Sequence, residues 1–116
     1  MSRKKKPSGH YIHDAIVESL RYRLESDDRV VLSEYEYNHI GDHEADILVL
    51  NYNQKYAYAI EVKTTNYNKA RRKAKKQLKA DERYINDIHK IERVFKFYAY
   101  KSKRRSKRLY DICLIE

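Results

Sequence analysis

Asp46, Glu61 and Lys63 stand out in the stretch EADILVLNYNQKYAYAIEVKTT (residues 44–65) because they put charge into two otherwise apolar, β-rich runs. Side chains alternate along a strand, so Glu61 and Lys63 share one face of their run while Ile60 and Val62 take the other. By the same rule Asp46 shares its face with Leu48 and Leu50. With Asn53 and Gln54 at the centre of the connecting turn, Leu50 faces Ala57, Leu48 faces Ala59 and Asp46 faces Glu61, at roughly 5 Å between Cβ atoms. A slip of one residue would break that register.

Two facing carboxylates repel unless a proton or a cation lies between them. A hard divalent cation such as Mg²⁺ takes one or two carboxylates, keeps waters and leaves room for a substrate phosphate. Lys63 beside such an ion can orient an attacking water or neutralise charge on a phosphorane-like transition state. The small Ala57 and Ala59 leave space above the strand. The chemistry that fits is phosphodiester hydrolysis. The competing reading is structural: Asp46 begins its strand at a solvent edge, and Glu61 and Lys63 are an exposed pair on a half-wet face.

Two helices and five strands must hold these residues. Ile12, Ile16, Leu20 and Leu24 recur every fourth residue, which predicts a helix from Ser8 or Gly9 to about Glu25, with Tyr11 and Ala15 widening its apolar stripe. RVVLSEYEY (29–37), ADILVLN, KYAYAIEVKT, RVFKFYAYK and RLYDICLIE are rich in β-branched and aromatic residues and read as strands. A long helix, capped by Asn66 or Asn68, runs to about Lys90 with a stripe of Ala70, Ala74, Leu78, Ile85 and Ile88. The order α-β-β-β-α-β-β predicts an α/β domain with a central mixed sheet of four or five strands flanked by helices. Residues 1–8, basic and holding the only proline, read as a disordered arm, and 9–116 as a single domain.

The chain of 116 residues is 37% charged, with a formal net charge of +9, and most of its 26 Lys and Arg fall in three clumps: RKKK, KARRKAKKQLK and KSKRRSKR. Such a field concentrates phosphates and points to nucleic acid as partner. The one cysteine, Cys113, excludes a disulfide framework and Cys-rich metal sites, and reads as a small buried apolar residue. No apolar run reaches membrane-spanning length and no signal-peptide h-region is present, so an intracellular location is expected.

Asp46 at the end of EAD, followed by Glu61 and Lys63 in IEVK, resembles the PD-(D/E)XK nuclease superfamily, which includes restriction endonucleases and Holliday junction resolvases. The resemblance covers nearly the whole chain and implies a restriction-endonuclease-like core. It also implies a Mg²⁺ or Mn²⁺ ion held by Asp46, Glu61 and the backbone carbonyl of Val62, with Lys63 assisting attack by water. Ala45 stands where the family's proline is usual. The family commonly adds a glutamate from the first helix; Glu18, at the edge of the stripe beside Tyr11 and Tyr22, is favoured here over His13 and Asp14.

Gln77 and Asp81 fall within the inward stripe of the second helix, where a polar side chain wants a partner. Gln77 in KKQLK is similar to a glutamine that nucleases of the superfamily aim at their active sites, and would position a water or the scissile phosphate. No segment for reading bases is evident, so contacts to DNA would be mostly to phosphate. The resemblance suggests structure-selective cutting by a homodimer. The alternative is a non-catalytic nucleic-acid-binding protein on the same fold, its tyrosines stacking on bases.

Overall fold

The computed structural model describes residues 8–103 and 107–115. Residues 1–7 of the expected arm and the middle of the last basic turn lie outside the described residues. Helix α1 (Ser8–Leu24) is followed by strands β1 (Val30–Asn38), β2 (Asp42–Asn51) and β3 (Tyr56–Lys63), helix α2 (Asn68–Tyr84), and strands β4 (Arg93–Lys101) and β5 (Tyr110–Ile115). The expected order α-β-β-β-α-β-β is the observed one. The five strands form one mixed sheet in the order β1-β2-β3-β4-β5. Only β3 and β4 pair in parallel, because α2 carries the chain back along the sheet between them. All other neighbours are antiparallel.

Both faces of the sheet are covered, which is why β2 reads as a near-continuous apolar run. On one face Ile16, Val17 and Leu20 of α1 pack on Ile47, Val49, Ile60, Val62 and Ala99. On the other, Leu78, Tyr84 and Ile85 pack on Leu48, Leu50, Ala57 and Ala59. Each fully buried Leu or Ile contributes roughly 2 kcal/mol by removal from water, so these two layers dominate cohesion. Among the described residues no helix is long and apolar enough to cross a membrane.

The turn at Asn53–Gln54 sets the expected register, with Leu50 opposite Ala57 and Leu48 opposite Ala59. The ladder ends at Ile47–Ile60, one residue short of the Asp46–Glu61 position. At that level the alternation of β2 reverses: Ala45 joins Leu48 and Leu50 in the layer beneath α2 instead of following Ile47 to the α1 side. Across from it, Glu34 of β1 sits at φ 48°, in the left-handed region that costs a non-glycine residue energy. Tyr35 and Tyr37, beyond Glu34, then face α2 together with Leu32. Asp46 lies at this break.

The helices depart from expectation in instructive ways. The stripe of α1 widens through Val17, whereas Tyr11 and Ala15 are exposed. The residue preceding α2 is Tyr67, and no side chain caps the helix, so neither Asn66 nor Asn68 has the expected role. The helix continues through a π-helical turn, Ile85–His89, which ends at Lys90 in the left-handed region. The wider turn shifts the helical phase, and Ile88 emerges at the surface while Ile85 stays buried. Cys113 is only half-buried on the edge strand β5, its thiol directed at the Tyr98 carbonyl.

Candidate active site

The sheet alternation sends Glu61 to the same side as Ala57 and Ala59, beneath α2. It is fully buried. Neither of its oxygens meets a hydrogen-bond donor. What surrounds them instead is acid, the carboxyl groups of Asp81 on α2 and Asp46 on β2. A lone ionised carboxylate in such a place would be prohibitively unstable. Burial, then Asp81, then Asp46 raise the pKa of Glu61 well above the usual carboxylate range. Without a cation, Glu61 is therefore the acid that keeps the proton, donating it towards its two neighbours.

Asp46 has the opposite character. Burial pushes its pKa up, but the hydrogen bonds from His13 and from the Val62 N–H outweigh burial and hold it below the ordinary value. Its Oδ2 accepts the Val62 N–H at 2.7 Å. Because the β2–β3 ladder has just ended, this side chain takes the place of a missing backbone acceptor and ties the two strands together. Its Oδ1 lies 3.2 Å from His13 Nε2. His13 is raised in turn, chiefly by that bond to Asp46 and against the effect of burial, with Asp14 a smaller contributor.

Asp81 completes the group. It is 1% exposed, and its Oδ1 accepts the Tyr37 hydroxyl at 2.7 Å, while its enclosed Oδ2 has no N–H partner. Burial raises its pKa, and the bonds from Glu61 and Tyr37 work against that rise. Tyr37 is itself fixed by stacking on Tyr84, with ring centroids 4.2 Å apart. Three carboxyls from β2, β3 and α2 thus lie together in the buried interior, with His13 bonded to Asp46 at the α1 edge. Among the described residues no three His, Cys, Asp or Glu side chains form a ready-made metal cage.

Asp46 and Glu61 are neighbours, but not as the ladder pair expected, since the pairing stops at Ile47–Ile60 and Asp46 reaches the Val62 N–H across the break; Lys63 lies two positions beyond Glu61, half-buried beside the fully buried Val62. The Tyr98 hydroxyl, donating to the Thr65 carbonyl, anchors the segment that leads from Lys63 into α2. Gln77 lies one helical turn before Asp81, half-buried, with its Oε1 enclosed and without a donor. Glu18 is not part of the cluster: its carboxylate is exposed and bonds Arg21 at 3.0 Å. The first-helix residue that arrives is His13, because the buried flank of α1 runs through Val17 and not through Tyr11. Asp81 was visible beforehand only as an acid in an apolar stripe.

The outer side of α2 is a separate feature. Arg72, Lys75, Lys76 and Lys79 line a groove with Lys96 of β4, floored by Leu78 and Ile115. Lys96 is already engaged by Glu82 at 3.1 Å. The four α2 cations have no acid of the described residues within ion-pair distance, so their field is available to an external anion. The chain matches no protein-family model, no curated protein and no solved structure.

Proposed function

We propose that the protein is a divalent-metal-dependent nuclease that hydrolyses DNA phosphodiester bonds, built on a restriction-endonuclease-like core of the PD-(D/E)XK kind. The single observation that carries this is Glu61, fully buried with two donor-less oxygens against Asp46. An ionised Glu61 in that position needs a compensating charge, which a bound cation would supply and which a proton replaces when no cation is there. The mixed sheet with its parallel β3–β4 pair and the basic groove on α2 support the same reading.

Asp46, Glu61 and the Val62 carbonyl would hold Mg²⁺ or Mn²⁺. The ion, when bound, supplies Lewis-acid polarisation of the phosphate and lowers the pKa of a water. The protein's own residues do the rest. Asp46 is kept ionised and oriented by Val62 N–H and His13. Lys63, half-buried two residues beyond Glu61, would neutralise charge that grows on the phosphate during attack. Gln77 offers an amide for positioning a water or a phosphate oxygen. The α2 cations hold the nucleic-acid backbone without reading its sequence. A homodimer would present two such sites to a branched substrate.

The test is incubation of branched, duplex and single-stranded DNA with Mg²⁺ or Mn²⁺, comparing wild type with Asp46→Asn and Lys63→Ala. Wild type is expected to cut at least one substrate, and each variant to lose about 100-fold or more in rate. Absence of cutting by wild type, or normal cutting by both variants, refutes the nuclease reading at this site. Tight binding without cutting would transfer support to a non-catalytic binding protein.

A further inference from the structure

We infer that β5 is the edge at which two copies of this chain join, strand to strand about a twofold axis, to make one continuous sheet. The inference rests on the homodimer of the proposed function and on no part of the cation site.

Among the described residues β5 pairs only with β4 and closes one side of the sheet. The Ser102 N–H donates to the Leu109 carbonyl at 3.2 Å, in register with the β4–β5 ladder. Hydrogen-bonded and non-hydrogen-bonded pairs alternate along an antiparallel ladder, so Leu109, Asp111, Cys113 and Ile115 turn their N–H and C=O groups to β4. Tyr110, Ile112 and Leu114 turn theirs to the open side. The same three residues place their side chains on the α1 face, with Ile112 opposite Ala99 and Leu114 opposite Phe97. Tyr110 packs against the α1 layer, whereas Ile112 and Leu114 are 44% and 54% exposed. Beside them the half-buried Phe95 and Phe97 flank Tyr58, at 5.9 and 5.5 Å between ring centroids. On a chain that is 37% charged, such an apolar surface marks a docking site.

The opposite edge is guarded and this one is not. β1 carries the left-handed break at Glu34, and both Glu34 and Glu36 are exposed, devices that keep a free strand from pairing. Residues 110–115 contain no lysine, arginine or proline. Their single charge, Asp111, is engaged by Arg108 at 3.1 Å. The occupant must offer an apolar strand without setting more positive charge against a chain of net charge +9, and β5 of a second copy does so. In antiparallel pairing centred on Ile112, Ile112 faces its own counterpart, and Tyr110 faces Leu114 of the second copy. Every outward backbone group of the strand is then paired, and the contact is self-complementary as a twofold axis requires. The two Arg108 residues fall at opposite ends of the joint, roughly 27 Å apart, well beyond a screening length of about 8 Å.

The test reads oligomeric state and amide exchange, not cleavage. Sedimentation velocity across the micromolar range compares wild type with Ile112→Lys, Ile112→Glu, their equimolar mixture, and the control Ile40→Lys at an exposed residue of the β1–β2 turn. Wild type and Ile40→Lys are expected to be dimers. Each Ile112 variant alone sets like charges against each other across the twofold axis, and its dimer should weaken by about 100-fold or more. The mixture sets Lys against Glu and should recover the dimer. In wild type alone, the amide protons of Ile112 and Leu114 are expected to exchange as slowly as that of Cys113, and faster on dilution, a readout that holds even if neither variant folds. A monomeric wild type, a dimer indifferent to charge at Ile112, a mixture that stays monomeric, or freely exchanging Ile112 and Leu114 amides overturns the inference. DNA cutting by a monomeric wild type leaves the proposed activity standing without this interface, and a dimer that cuts nothing leaves the interface without the activity.

Discussion

Replacing Glu61 by glutamine removes a titrating proton from a fully buried side chain that faces two other acids and no donor. In the unfolded chain Glu61 ionises near pH 4.5, whereas in the folded protein it keeps its proton to a much higher pH. Above 4.5 the unfolded state therefore binds fewer protons than the native state, and stability falls as pH rises. For one proton the slope is at most about 1.4 kcal/mol per pH unit. Asp81, also raised, acts in the same direction. His13 adds a loss of the same sign only above its ordinary value of 6.5. Asp46, held low, contributes stability that is lost only at the acid end, as pH falls below 3.8.

Between pH 5 and 6.5 the buried acids thus govern the profile. In a domain of this size 1 kcal/mol corresponds to roughly 3–5 °C in Tm, so the cation-free wild type is expected to lose up to about 4–7 °C per pH unit in that window. Glu61→Gln carries no such proton, and its amide N–H can donate to the neighbouring acids in place of the Glu61 proton. Its Tm at pH 7 should equal or exceed that of wild type, with a flatter profile from pH 5 to 6.5. The assay is thermal unfolding followed by circular dichroism at several pH values in EDTA. Parallel profiles for the two proteins, or a less stable variant at pH 7, would show that Glu61 is not the proton-holding acid.

Two further outcomes concern the elements around the site. Tyr37→Phe leaves Asp81 Oδ1 without its donor inside the protein, and should cost about 1–3 kcal/mol in urea unfolding; an unchanged midpoint would mean the hydroxyl is dispensable. Changing Lys75, Lys76 or Lys79 to Ala should weaken duplex binding without altering preference among sequences. Each should flatten the dependence of log K on log salt by about 0.9, measured by fluorescence anisotropy between about 50 and 200 mM salt; an unaltered slope would place the nucleic acid elsewhere.

Much of this was legible in the chain alone, for a local reason. The period-two pattern of β2 and β3 and the polar turn at Asn53–Gln54 fix strand identity and the register of Leu48 with Ala59 and Leu50 with Ala57 from neighbouring residues, whereas the place of Asp46 depends on the break beyond Ile47. The order of helices and strands, and the parallel crossover it demands, followed from the same periodicities. What went astray lies where a side chain's surroundings come from distant segments. Tyr11 and Val17 are both apolar enough to widen the α1 stripe, and only the sheet's shape selects Val17, which turns His13 inward and leaves Glu18 in solvent. Ile88 fits a regular helix, but a π-helical turn, invisible to a periodic pattern, rotates it outward.

Asp81 is the sharpest case. Its position in the inward stripe of α2 was plain from spacing, yet spacing cannot say what stands opposite. That depends on where α2 crosses β3, how Tyr37 reaches across from β1 after the reversal at Glu34, and how the ladder opens beyond Ile47. By itself the sequence determined that two acids and a lysine share a strand pair. Tertiary packing decided that a third acid, a tyrosine and a histidine close around them, because burial and unmet hydrogen bonds exist only once separate elements have come together.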